Sequence, residues 1–272
     1  MINRFALEGK IQHMKDENSS RRRDSHGTQL NQSLIDGISV LQALSVNEKP
    51  CGVRELARYL ELDPNRVSRL LRTLAYLGMA RQTSDRKYTT GSSMHVLAAQ
   101  SLFASQAITD AIGTLESLLE FDLVVAYGVL WKDKVTYLFH ALPGMKAHEA
   151  LGRIGYYPAT ASGVGLSLLS ALDDEEICSI YMNKEIPFFD NNIDKLLAKL
   201  KEIREQGYAL VHTKYQTHIS NGSVTIAVNV GHPPYGGVAL SGKIDEQDTQ
   251  RYVTLLKGKA EEVELKNRKV SK

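Results

Sequence analysis

The sequence predicts a mixed α+β chain in two parts: a small helical module with a hairpin, followed by a larger domain built on a mostly antiparallel sheet. Three observations lead there. Val53–Thr90 reads VRELARYLELDPNRVSRLLRTLAYLGMARQTSDRKYTT, which is helix, turn, helix and then two short β-prone runs. From Asp110 onward β-rich pairs of runs alternate with helix-periodic segments, the pattern of an α+β domain rather than a doubly wound parallel sheet. The length of 272 residues suits two domains of ordinary size.

The elements follow in order. Residues 1–30 are polar, contain Arg21, Arg22 and Arg23, and read as a disordered arm; a solvated tail is the first reading, phosphate contact the second. Gln32–Leu44 carries Leu34, Ile35, Ile38, Leu41 and Leu44 at helical spacing, so these are expected to form one buried stripe. Pro50 and Gly52 break the chain before the helix Val53–Leu60, and Glu61–Asp63 makes the next turn. The helix from Pro64 is the best specified. Asp63 can cap it, and proline costs nothing at the first helical position. Val67, Leu70, Leu71, Leu74 and Leu77 form its expected buried stripe, and Gly78 its stop. Asn65, Ser68, Arg69 and Arg72 fall on the opposite side, flanked by Arg66 and Thr73. Met79–Gln82 and Lys87–Thr90 pair as a hairpin with Arg86 and Lys87 at or beside its tip.

Helix, turn, basic helix and hairpin is the layout of a winged helix-turn-helix, which seats one helix in the major groove of double-stranded DNA. Asn65 and Arg66, in the first turn, are placed to read base edges, since arginine grips guanine and asparagine grips adenine through paired hydrogen bonds. Ser68 and Arg69 come next, and Thr73 flanks the same face. Arg72 lies further along the helix and is expected to meet a phosphate. Arg86 and Lys87 suit phosphates or the minor groove, and Arg54 and Arg58 on the preceding helix suit the backbone. A solvated basic face is the alternative.

Charge agrees with this division. Residues 1–90 hold 15 Lys and Arg against 10 Asp and Glu, and the remainder holds 18 against 21. Cys51 and Cys178 are far apart and form no CxxC, so neither a disulfide framework nor a zinc knuckle is expected. No apolar run approaches the roughly 20 residues of a membrane span, and the first residues lack a signal-peptide core, so a cytoplasmic protein with no membrane partner is expected.

Behind the hairpin, Ser93–Phe103 is a helix expected to link the two parts. Asp110–Leu119 is helical; Leu123–Leu130 and Lys134–Leu142 are strands joined at Lys132-Asp133. Thr160–Leu172 is a small-residue-rich helix entered from a loop, and Asn192–Glu205 a charged amphipathic helix stopped by Gly207. Ser223–Val230 and Gly237–Ile244 are strands, and Gln247–Leu265 is the last helix.

The segments SLIDGISVLQAL, VRELARYLELDPNRVSRLLRTLAYLGMA and KYTTG, then LGRIGYYPATASGVGLSLLSALDDEEI, LAKLKEIREQGYAL, TIAVNV and VALSG, resemble the IclR-type transcriptional regulators. The resemblance covers nearly everything after residue 30 and implies these divisions: arm 1–30, winged helix-turn-helix 31–91, linker helix 92–106, effector-binding and oligomerisation domain 107–272. It implies a C-terminal sensor similar to GAF and PAS domains on a curved antiparallel sheet, homodimers or homotetramers on palindromic operators, and repression of a catabolic operon relieved by a small organic acid. No catalytic residue, metal or cofactor is implied.

Gly152, Ala159, Thr160, Ala161, Ser162 and Gly163 read as a loop leading into a helix, where small residues let amides approach a carboxylate ligand. Tight packing explains the same residues equally. Carried over from the family's strands, Thr225 and Ser241 would face that ligand. The chain departs from the family in three places. The run LVHTKYQTHISNGS holds no acid where the family has a pocket carboxylate, and His212, Lys214 and His218 stand there instead. Val164 replaces a usual lysine, and Thr225 a frequent cysteine. Lost acids and gained bases favour a more anionic effector, such as a sugar acid. Two rivals stay open: a regulator whose C-terminal half only oligomerises, and a metal-dependent enzyme using His140, His148, His212 and His218. GVGLSL is only a partial glycine pattern, and GxSxG, HExxH and P-loop motifs are absent from the sequence, so enzyme function is not expected.

Overall fold

A computed structural model describes residues 30–47, 49–105, 108–213 and 223–270. The expected arm, Leu30 apart, lies outside this range, as do Lys214 and His218. The chain divides into two compact units between Ser101 and Leu102.

In the first unit α1 (Gln32–Val46), α2 (Val53–Leu60) and α3 (Pro64–Tyr76) precede the antiparallel pair β1 (Ala80–Gln82) and β2 (Tyr88–Thr90). Side chains set the helix starts. Asn31 caps α1 through the Leu34 amide, and the Asp63 carboxylate accepts from the amides of Asn65 and Arg66. Gly78, with φ 70°, follows the last turn of α3 as expected. Val40, Leu44, Leu56, Leu60, Val67, Leu71, Leu74 and Tyr88 close a single core. Full burial of such a side chain stabilises by about 1.5–3 kcal/mol.

Two expected stripes need correction. On α1 the inward residues are Asp36, Val40, Leu41, Ala43 and Leu44, while Leu34 and Ile38 are exposed. The helix is turned by its contacts with α3: Asp36 pairs with Arg66, and Gly37 faces Leu70. On α3, Leu70 is half-buried and Leu77 is exposed, because the helix ends at Tyr76 before its stripe does. α4 (Ser93–Ser105) then crosses the division between the units.

The second unit begins with α5 (Thr109–Ser117) and a 3-10 turn, Leu118–Phe121. Its sheet has six antiparallel strands: β3 (Val124–Trp131), β4 (Lys134–Ala141), β5 (Leu151–Pro158), β6 (Ala209–Thr213), β7 (Ser223–Val230) and β8 (Gly236–Gly242). The strand order is β5-β4-β3-β8-β7-β6. Register shifts at Tyr127/Gly128 and Thr136/Tyr137 bulge the sheet and curl it. The helices between strands are α6 (Gly163–Leu169), α7 (Asp174–Tyr181) and α8 (Ile193–Gln206), and α9 (Thr249–Val270) closes the chain.

Strand alternation sorts side chains by size. Val125, Tyr127, Ile226, Val228, Val238 and Leu240 fill one face with α5 and α9. Ala126, Ala227 and Ala239 line the other, where α6, α7 and α8 pack. The small face lets α6 approach closely. A Cβ at Gly163 would stand 2.7 Å from Thr225 Cγ2 on β7, and one at Gly165 would run into the Ala159 carbonyl of the turn that precedes α6. Gly152 is corrected: it lies on the edge strand β5, not in the loop before α6. The expected helix Thr160–Leu172 is shorter, a 3-10 turn at Ala159–Ala161 followed by α6.

Candidate functional site

Asp63 and Pro64 start α3 sharply, and Val67, Leu71 and Leu74 fix its rotation by burial. The remaining face is therefore held outward. Asn65, Arg69, Arg72 and Thr73 are exposed, and Ser68 is half-buried beside them. Thr73 Oγ1 donates to the Arg69 carbonyl at 3.1 Å. Among the described residues neither Arg69 nor Arg72 is paired with a carboxylate, so both charges are available to an anionic partner.

Arg66 differs from them. Its Nε sits 2.5 Å from Asp36 Oδ2, and the Asp36 side chain is only 5% exposed. Asp36 Oδ1 accepts from Gln32 Nε2 at 2.7 Å. Spacing along α3 singles out Arg66 but gives no sign of Asp36 or Gln32, which reach it from α1.

Arg54 and Arg58 are exposed on α2. At the hairpin the Arg86 amide donates to the Thr83 carbonyl, and Arg86 takes φ 61° at the tip. Lys87 Nζ lies 3.5 Å from Asp85, so the tip carries one internally countered cation and one exposed arginine. The Thr83 hydroxyl donates to Asp85 at 2.5 Å and, as the main cause, holds that carboxyl below its ordinary value. Arg81 on β1 is a further exposed cation that the sequence reading passed over.

In the second unit the candidate pocket residues form a connected series. Tyr137 Oη and Ser162 Oγ are 2.7 Å apart, Gly163 adjoins Thr225, and Thr225 Oγ1 donates to Ser241 Oγ at 2.8 Å. Burial pushes the Tyr137 phenol up to about 12, with the Ser162 hydrogen bond opposing, so it stays protonated at neutral pH. Tyr137 was not foreseen; its strand is legible in the sequence but its partner is not. Ala161 is half-buried beside the buried Thr160. Ser162 Oγ also accepts from the Gly165 amide, so this seven-residue helix already has one of its first amides occupied. Val164 packs against Gly237. A cleft of about 370 Å³ lies apart from these residues and is lined by Ser167, Arg204, Asn229, Lys257, Glu261 and Glu264 among others.

Of the four histidines weighed as metal ligands, His148 and His212 are exposed, and the His140 ring stands 5.6 Å from that of Tyr137. Among the described residues no group of three or more His, Cys, Asp or Glu side chains is placed to hold a metal. Among them, too, no helix is long and apolar enough to cross a membrane.

The exposed ridge on α3 in the first unit and the antiparallel sheet of the second are the architecture of a helix-turn-helix regulator with a separate C-terminal domain. Family models agree. Residues 33–84 match the IclR helix-turn-helix domain, and residues 103–265 match the bacterial transcriptional regulator IclR C-terminal domain. The chain belongs to the IclR family of transcriptional regulators. Several solved structures are similar in fold. An IclR family transcriptional regulator from Brucella abortus is 21% identical with a TM-score of 0.68, over 86% of this chain and 92% of that one. One from Alicyclobacillus acidocaldarius is 20% identical with a TM-score of 0.64, over 88% and 99%. An IclR homolog from Microbacterium hydrocarbonoxydans, complexed with 4-hydroxybenzoate, is 19% identical with a TM-score of 0.62, over 87% and 99%. No curated protein matches the chain.

Proposed function

We propose that the chain binds a palindromic DNA operator as a homodimer or homotetramer, represses a catabolic operon, and yields the operator when a small organic or sugar acid binds its C-terminal domain. The observation that carries this reading is the outward ridge of α3, with Asn65, Arg69, Arg72 and Thr73 exposed opposite a buried apolar seam. Asn65, Arg66, Ser68 and Arg69 read bases; Arg72, Arg54, Arg86 and Lys87 hold phosphates. Exposed apolar side chains support self-association: Leu34 and Ile38 on α1, Val96 and Leu97 on α4. Selection from a random duplex pool should return a palindromic motif. Affinity for it should fall on the order of a thousandfold between about 50 and 200 mM salt, as expected for six or more phosphate contacts. A pool that yields no motif, with salt-independent binding, would contradict the reading.

The acid effector is supported by the absence of any carboxylate in residues 210–223 and by the carboxylate bound in the similar Microbacterium structure. A second reading, a C-terminal domain that only oligomerises, is favoured by one observation: the hydroxyls of Ser162, Thr225 and Ser241 all find partners inside the protein. Thermal denaturation with a panel of sugar acids and hydroxy acids separates the two. A true effector at about 100 times its Kd adds about 2.7 kcal/mol, a rise of about 5–10 °C. No shift with any acid selects the oligomerisation reading.

A further inference from the structure

We infer that Asp36 is a buttress for base reading: through α1 it fixes the Arg66 guanidinium so that its two terminal amino groups grip a guanine in each operator half-site. The inference rests on the proposed DNA reading and adds a specificity-determining residue outside the recognition helix.

Three observations carry it. The first is placement. Arg66 is the third residue of α3, its own amide held by the Asp63 cap, and first-turn side chains are those that meet base edges. The second is the choice of atoms. The close contact of Asp36 Oδ2 is with Nε, and among the described residues Nη1 and Nη2 donate no hydrogen bond. Those two N–H groups are the pair that matches O6 and N7 of guanine. The third is the cost of the arrangement. A carboxylate beneath a helix that approaches phosphates repels them, and at 5% side-chain exposure it is also deprived of water. An apolar residue would fill the same place in a core that already holds Val40 and Leu44. The acid gains a purpose if it holds one rotamer. Gln32 adds to the hold: its Nε2 donates to Oδ1, which leaves Oδ2 lying against the Arg66 guanidinium as an ion-pair contact. A long arginine fixed in advance loses less freedom on binding, and the fixed plane of its guanidinium accepts guanine better than adenine.

The test compares wild type, Asp36→Ala and Arg66→Lys, each as the full chain, by selection from one random duplex pool and titration of point-substituted duplexes. Wild type should prefer G·C over A·T at one position in each half-site by about tenfold or more, the discrimination of one good bidentate pair. Asp36→Ala should reduce that preference to within about threefold while preferences at other positions and the salt slope stay unchanged. Arg66→Lys keeps a cation beside Asp36 but lacks the fork, and should lose the same preference. If folded Asp36→Ala keeps the wild-type preference, Asp36 is only a structural tie and the inference is overturned. Should Asp36→Ala not fold, Asp36→Asn takes its place, since it can keep the bond from Gln32 while losing the charge that faces Arg66, and a retained preference overturns the inference. A wild-type chain that selects no motif refutes the DNA reading itself, and this inference with it.

Discussion

A carboxylate with little access to water is tolerated only where cations meet it, and the described residues show this twice. Asp36 meets Arg66, and Asp133 meets Lys134 Nζ at 2.6 Å and Lys184 Nζ at 3.2 Å. At Asp133 burial pushes the carboxyl up, but the two ammonium groups and their hydrogen bonds outweigh it and hold the group below its ordinary 3.8. A carboxyl lowered on folding adds stability above its unfolded value and loses it as pH falls through the folded one. Asp133→Asn should therefore be less stable than wild type by about 1.5–3 kcal/mol at pH 7, the worth of hydrogen bonds to a charged group. In denaturant titrations the gap should shrink as pH drops below 3.8. A gap that stays constant down to pH 2 would show that the ion pair contributes nothing. At this scale the sequence reveals which side chains leave a helix outward, as with Arg69 and Arg72, because burial of Val67, Leu71 and Leu74 fixes the rotation. It does not reveal Asp36 beneath Arg66 or Tyr137 against Ser162, since each partner arrives from another element.

Elements with local signals at both ends were legible. Asp63-Pro64 and Gly78 bound α3, and Asn192 and Gly207 bound α8, because caps and positive-φ stops act within a few residues. The strands β3, β7 and β8 were legible for a different reason: large and small residues alternate along them, each face having its own helix layer to bury against. The edge strands β5 and β6 were missed. β5 carries Gly152 and Gly155, which weaken a strand pattern, and it is paired on one side only. The eight-residue α7 offered too few turns for a periodicity. On α1 a complete apolar stripe was present, yet Leu34 and Ile38 stay exposed, since Val40, Leu41, Ala43 and Leu44, with Asp36 against Arg66, take the inward side instead.

Across the whole molecule, a basic front and a mildly acidic back coincide with the two compact units, and residues 33–84 and 103–265 match the two domains of one regulator family. Division of labour follows: one unit presents cations to a polyanion, and the other carries the sheet, the hydroxyl series and the final helix. On this division the exposed face of α3 receives the duplex. The most direct test is a titration of the selected operator with Arg69→Ala, alongside its mass in solution. The side chain is exposed and outside the core, so fold and oligomeric state should not change. Affinity should fall by about tenfold or more, the loss of one base or phosphate contact. Unchanged affinity in a variant of unchanged mass would place the duplex on some other surface.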